Sequence, residues 1–250
     1  MAEYEYQRAR EQCDRIALEV GQPRFYLEKA EEVALSREKL TADPLMDECL
    51  RMVEMQGDCL GHGLQHVLKV AVDAGAIILI ETKDDHGKVK SVLRLVFLAH
   101  LAGLLHDIRR QEKNHAVLGA EAAENILLNF PVTGRERLLV AQAIRNHEAF
   151  QEVAKLCDDD AQLLSDALYD ADKFRWGPDN FTETIWAMLE TRGIPLNILM
   201  AHFLTGLEGV RRIRETFRTE TGKYYGPDFI DLGLEIGRRL YEELKGPMIP

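Results

Sequence analysis

The stretch that most constrains this chain runs from Val92 to Asp107. Residues Val92 to Leu105 are apolar on nearly every helical face, interrupted by Arg94 and His100. A helix without a polar side is buried all round. This one closes with Ala102-Gly103-Leu104-Leu105-His106-Asp107-Ile108, which sets an imidazole beside a carboxylate at the end of the most buried element. Polar groups in such a place are costly unless something pairs with them. A divalent metal is a suitable partner, because it binds imidazole nitrogen and carboxylate oxygen together. Successive helical residues point about 100° apart, so one ion beside the helix end reaches both. A capped helix end with a hydrogen-bonded core histidine is the competing account, and the rest of the chain decides between them.

With 250 residues, 46% of them hydrophobic, the chain suits one large domain or a core with a helical extension. A net charge of −11 without an offsetting basic stripe argues against binding duplex nucleic acid or a membrane surface. An anionic substrate stays open, provided Lys, Arg or a metal supplies local positive charge. Cys13, Cys49, Cys59 and Cys157 show no CxxC spacing and read as thiols in a reducing, cytoplasmic setting. The acidic N-terminus does not resemble a signal or transit peptide. The apolar segments Val67 to Ile80 and Val92 to Leu105 carry charges and fall short of the ~20 uncharged residues of a membrane span.

Strand signals are almost absent, so the expected fold is all-α and irregularly packed rather than a repeat array. Helices are expected over 3–20 and 24–38, with Pro23 setting a start, and from Asp43-Pro44 to about Met55, ended by Gly57. Residues 1–57 hold no cluster of metal-binding types and read as a helical extension packing on the core, with a homodimerisation arm as the alternative. Helix 61–80, a turn at 84–87 and the buried helix 91–108 follow. Asn114 is a candidate cap for helix 115–129, which Phe130-Pro131 stops. Thr133-Gly134-Arg135-Glu136 has capping-box spacing and opens helix 134–147. Asp158-Asp159-Asp160 reads as a solvated loop and N-cap before helix 161–171. A helix from Gly177-Pro178 to Gly193-Ile194-Pro195, then 196–220 and 227–245, complete the set.

On these elements the metal-ligating types fall at telling points. His66 lies inside the apolar helix, His106 and Asp107 end the buried one, His115 starts the next, and His147 ends the one after. Asp172 follows helix 161–171. Helix termini converge in small α-domains, so these groups are candidates for one cavity. His62 and His86 read as turn residues, His100 as a satisfied internal histidine, and His202 as part of an amphipathic helix.

The segments His66-Val67-Leu68-Lys69-Val70, Gly103-Leu104-Leu105-His106-Asp107-Ile108 and Asp170-Ala171-Asp172-Lys173-Phe174 stand in an order that resembles the HD superfamily of metal-dependent phosphohydrolases. The resemblance covers roughly residues 60–176 and implies an HD-type bundle over 58–250. It implies that His66, His106, Asp107 and Asp172 hold one metal ion, with Asp170 as a structural carboxylate or an exchangeable ligand. His115 and His147 resemble the histidines that hold a second ion in two-metal members. The Gly-Tyr-Pro hallmark of the cyclic dinucleotide phosphodiesterases among them is missing. A nitrogen and carboxylate donor set suits Mn, Fe, Co, Ni or Zn.

The reaction the resemblance implies is cleavage of a small phosphate ester, a nucleotide being the leading class, with Asp107 in the catalytic set. Cations are required around the phosphoryl oxygens. The candidates are Arg110, Lys69 and Lys173, with Arg109 beside them. Helix-dipole pairing is the other account of Arg109 and Arg110, and pairing with Asp170 the other account of Lys173. Many HD proteins have Gly-Lys where this chain has Arg109-Arg110. An HD-type di-iron oxygenase and a non-catalytic module with a structural metal are the alternative functions.

Overall fold

The computed structural model describes residues 2–55, 63–83, 89–153, 155–156 and 158–245. Gly57, Cys59, His62, His86, Cys157 and the expected 84–87 turn lie outside the described residues. Among the described residues the chain is all-α, with no strand. The helices are α1 (Ala2–Val20), α2 (Arg24–Glu28), α3 (Ala30–Ala42), α4 (Pro44–Glu54), α5 (Leu64–Glu81) and α6 (Val89–Leu105). They continue with α7 (His115–Ile126), α8 (Gly134–Arg145) and α9 (Asp159–Phe174). A π-helical turn (Asn180–Thr184) leads into α10 (Ile185–Arg192), followed by α11 (Leu196–Ile213) and α12 (Glu220–Leu244). No helix among them is long and apolar enough to cross a membrane.

The bundle is built on α5 and α6, which pack on each other and are covered by α3, α4, α8 and α9. α7 pairs with α8, and α12 braces α1, α9 and α11. Leu101, Leu104 and Leu105 of α6 are fully buried. Each contributes about 1.5–3 kcal/mol, which helps offset the cost of burying His106 behind them. Gly103 sets the closeness of the central pair. A Cβ there would lie 2.7 Å from the Ala71 backbone nitrogen and 2.9 Å from its side chain, so α6 meets the α5 backbone directly. This crossing carries His66, on α5, and His106, in the turn just past α6, toward one another.

Local chemistry accounts for several of the boundaries. Pro44 occupies the first turn of α4 while the Asp43 carboxylate accepts from the Leu45 N–H. Thr133 and Glu136 make the reciprocal bonds of a capping box at the start of α8. Asp158 caps α9 by accepting from the Ala161 N–H.

Five expectations need correction. The helix expected over 24–38 is two helices broken at Lys29, whose φ of −119° and ψ of 26° leave helical geometry. Asn114 adopts φ 63° and makes no side-chain cap, its left-handed backbone being one that Asn tolerates well. The buried helix stops at Leu105 and α8 at Arg145, so Asp107 and His147 lie just past the helices expected to contain them. α9 runs on to Phe174, so Asp172 sits in its last turn rather than beyond it. Finally, α11 ends at Ile213 and α12 begins seven residues before Pro227. Thr219 caps α12 by accepting from the Gly222 N–H, and this start outweighs the missing donor of Pro227.

Candidate metal centre

Five segments supply the six side chains: α5 gives His66, the turn after α6 gives His106 and Asp107, α7 gives His115, the turn after α8 gives His147, and α9 gives Asp172. All but His115 are buried. His66 Nε2 lies 3.2 Å from His106 Nε2 and 3.4 Å from Asp172 Oδ1. His106 Nε2 is 3.5 Å from Asp107 Oδ2 and 3.7 Å from Asp172 Oδ1, and His66 Nε2 is 3.9 Å from Asp107 Oδ2. Ligands ~2.1 Å from a tetrahedral zinc-type ion stand about 3.4 Å apart. On that measure His66, His106 and Asp107 form a group that could hold one divalent ion, with Asp172 Oδ1 beside both of its histidines.

The histidines are oriented for this role. His106 Nδ1 lies 2.8 Å from the Gly103 carbonyl, and His147 Nδ1 2.6 Å from that of Ile144. A carbonyl only accepts, so each Nδ1 carries the proton and each Nε2 directs a lone pair inward. Asp107 then presents its second oxygen to a second group. Oδ1 is 3.4 Å from His147 Nε2 and 3.8 Å from His115 Nε2. His66-His106-Asp107 and Asp107-His115-His147 thus form two adjoining groups with metal-compatible spacing that share one carboxylate.

The electrostatics of the cluster suit a cation. Burial disfavours a charged imidazole at His106, yet Asp107 and Asp172 lift its pKa above the ordinary value. Burial likewise favours the neutral acid at Asp172, but Lys173, His106 and His66 hold its carboxyl well below the ordinary range. His115 behaves oppositely. Burial and the Arg110 charge lower its pKa to about 4.

The expected cations are placed unequally. Lys173 is buried, bonds to Asp172 rather than Asp170, and donates to the His147 carbonyl at 2.9 Å. Arg110 Nη1 donates to His115 Nε2 at 2.8 Å and stands 3.9 Å from Asp107 Oδ1. Lys69, one turn after His66, is held by Asp179 at 3.1 Å and Glu183 at 2.6 Å. Arg109 faces Glu112 at 3.4 Å on the surface. Because α6 stops at Leu105, neither arginine lies in its last turn. Asp170 points away from the centre and accepts from the Arg218 N–H and from the N–H and hydroxyl of Thr219.

Several site groups escape a reading of spacing alone. Glu148 stands 3.0 Å from His115 Nδ1 and orients that ring. Its one signal is its place next to His147. Beneath His66 on α5, Asp73 accepts from Tyr26 at 2.7 Å and pairs with Arg175, which also bonds to Asp179. A lone aspartate in an apolar helix was the available signal. His100, expected to be internal and satisfied, bonds to Ser36 Oγ at 3.0 Å. A cleft of about 630 Å³ opens against His66, with Val53, Glu54, Gln65 and Glu183 among its lining residues.

Against known proteins, the chain matches no family model, no curated protein and no solved structure.

Proposed function

We propose that this chain is a metal-dependent phosphohydrolase that cleaves a small phosphate ester, with a nucleotide as the leading substrate class. The observation that carries this reading is the shared Asp107 carboxylate, set between two histidine pairs in a buried centre beside a cleft. The order His66, His106-Asp107, His115, His147, Asp172 adds the resemblance to the HD superfamily as support. The nitrogen and carboxylate donors favour Mn, Fe, Co, Ni or Zn.

A divalent ion held by His66, His106, Asp107 and Asp172 would supply an activated water and positive charge at the phosphoryl group. The chain's own residues do the rest. Gly103 and Ile144 fix the His106 and His147 rings through their carbonyls, so the lone pairs need no reorganisation. Lys173 keeps Asp172 ionised and in place. Arg110 is partly exposed beside Asp107 and offers planar N–H donors to phosphoryl oxygens, whose charge builds in the transition state. Lys69 reaches a phosphate only by leaving Asp179 and Glu183.

The shared carboxylate also favours an HD-type di-iron oxygenase as a second reading. That enzyme would show visible absorption from bound iron and would consume oxygen. A purely structural metal accords less well with a cleft that reaches His66.

The test is a screen of phosphate esters with metal-free protein, adding back each metal in turn and measuring phosphate release. Phosphate release is expected in the wild type. His106→Ala and Asp172→Ala are each expected to lose at least 100-fold in turnover, about the largest loss seen on removing a mere outer partner of a metal ligand. Full metal content and full turnover in both variants would refute the reading.

A further inference from the structure

The second ligand group contains a cation of its own. The Arg110 N–H donates to the Asp107 carbonyl at 2.9 Å, closing a tight turn that folds the side chain back over Asp107. Its guanidinium then donates to His115 Nε2 at 2.8 Å, with Asp107 Oδ1 at 3.9 Å. The His115 Nε2 lone pair is the one that a second ion would need, because the other ring nitrogen faces Glu148. Arginine is always charged and has no lone pair to give. It therefore takes up the electron pair of His115 and also repels any ion brought to the same place.

We infer that Arg110 stands in for a second metal ion, so that the protein binds one ion per chain and closes the Asp107-His115-His147 group with a guanidinium. The inference rests on the proposed metal centre and deepens it. A fixed positive charge beside a single ion gives a phosphoryl group two cationic neighbours without a second metal. The guanidinium also confines the substrate to anions that accept from planar N–H donors, as phosphate esters do.

The experiment is equilibrium dialysis of the full-length, metal-stripped chain against Co²⁺, read by elemental analysis and by the intensity of the cobalt visible bands. One cobalt per chain is expected for the wild type. Arg110→Met is expected to double this to two, and Arg110→Met/His115→Ala to return it to one. Two ions in the wild type overturn the inference, and so does a single ion in Arg110→Met with wild-type helical circular dichroism. If that variant loses helical signal, Arg110→Gln takes its place under the same criterion. Two ions together with phosphate release would sink this inference and leave the proposed function standing, whereas no bound ion would sink both.

Discussion

Arg175 is buried with its charge intact, donating to Tyr26 at 2.6 Å and pairing with Asp73 and Asp179. Burial raises the pKa of Asp73, and the guanidinium opposes that rise. Removing one member of such a pair strands the other away from water. Arg175→Met is therefore expected to cost about 3–5 kcal/mol in urea unfolding. Asp73→Asn/Arg175→Met should recover part of that loss, because the coupling of a contacting pair is not additive. This pairing was half legible in the sequence. Asp73 interrupts an apolar helix and so announces a partner, but a partner 102 residues away lies beyond any spacing rule. The ligand types were more legible, since each falls in or beside a helix where a polar group needs a reason. Arg110 was readable as a nearby cation, while its contact with His115 depends on a turn that opens only because α6 stops short.

Among elements, the decisive contact is the crossing of α5 and α6. A methyl group at Gly103 would meet the Ala71 backbone, which cannot move aside as a flexible side chain could. Gly103→Ala is therefore expected to destabilise the fold by about 1–3 kcal/mol by overpacking. It should also weaken cobalt binding, because spreading these helices separates His66 from His106. Calorimetric titration would read the affinity, and wild-type affinity in the variant would show that the crossing does not set the ligand spacing. The crossing was legible only in outline. Two apolar runs imply two core helices, yet the sequence does not say that they touch at Gly103. Helix ends were clear where a cap is local, as at Asp43, Thr133 and Asp158. They were obscure at α12, where Pro227 masks a local cap at Thr219, a residue itself held from afar through its N–H and hydroxyl by Asp170.

Across the whole molecule, the candidate ligands come from five separate segments, so an ion bound among them would tie together elements from residue 66 to residue 172. Anything that binds the folded state alone stabilises it. Cobalt at a hundredfold excess over its dissociation constant should add about 2.7 kcal/mol. For a chain of this length that corresponds to a rise in Tm of roughly 5–10 °C. Asp172→Asn should abolish most of the shift, and an unchanged Tm in the wild type would separate metal binding from folding. The all-α class was fully legible at this scale, from helical periodicity and the scarcity of strand signals. The part played by the C-terminal helices was not, since no ligand type in them drew attention to it.

Asp170 gives those helices their importance. Burial raises its pKa to about 7, and its acceptors are satisfied by the backbone that opens α12. Two residues on, Asp172 faces the opposite way into the histidines. A shortened protein ending after α11 would keep every candidate ligand and still fail. It would leave an acid without donors in the interior, two residues from Asp172 in the centre it was meant to preserve. The smallest viable version of this protein is thus set by what stands behind Asp172 rather than by the last ligand in the chain.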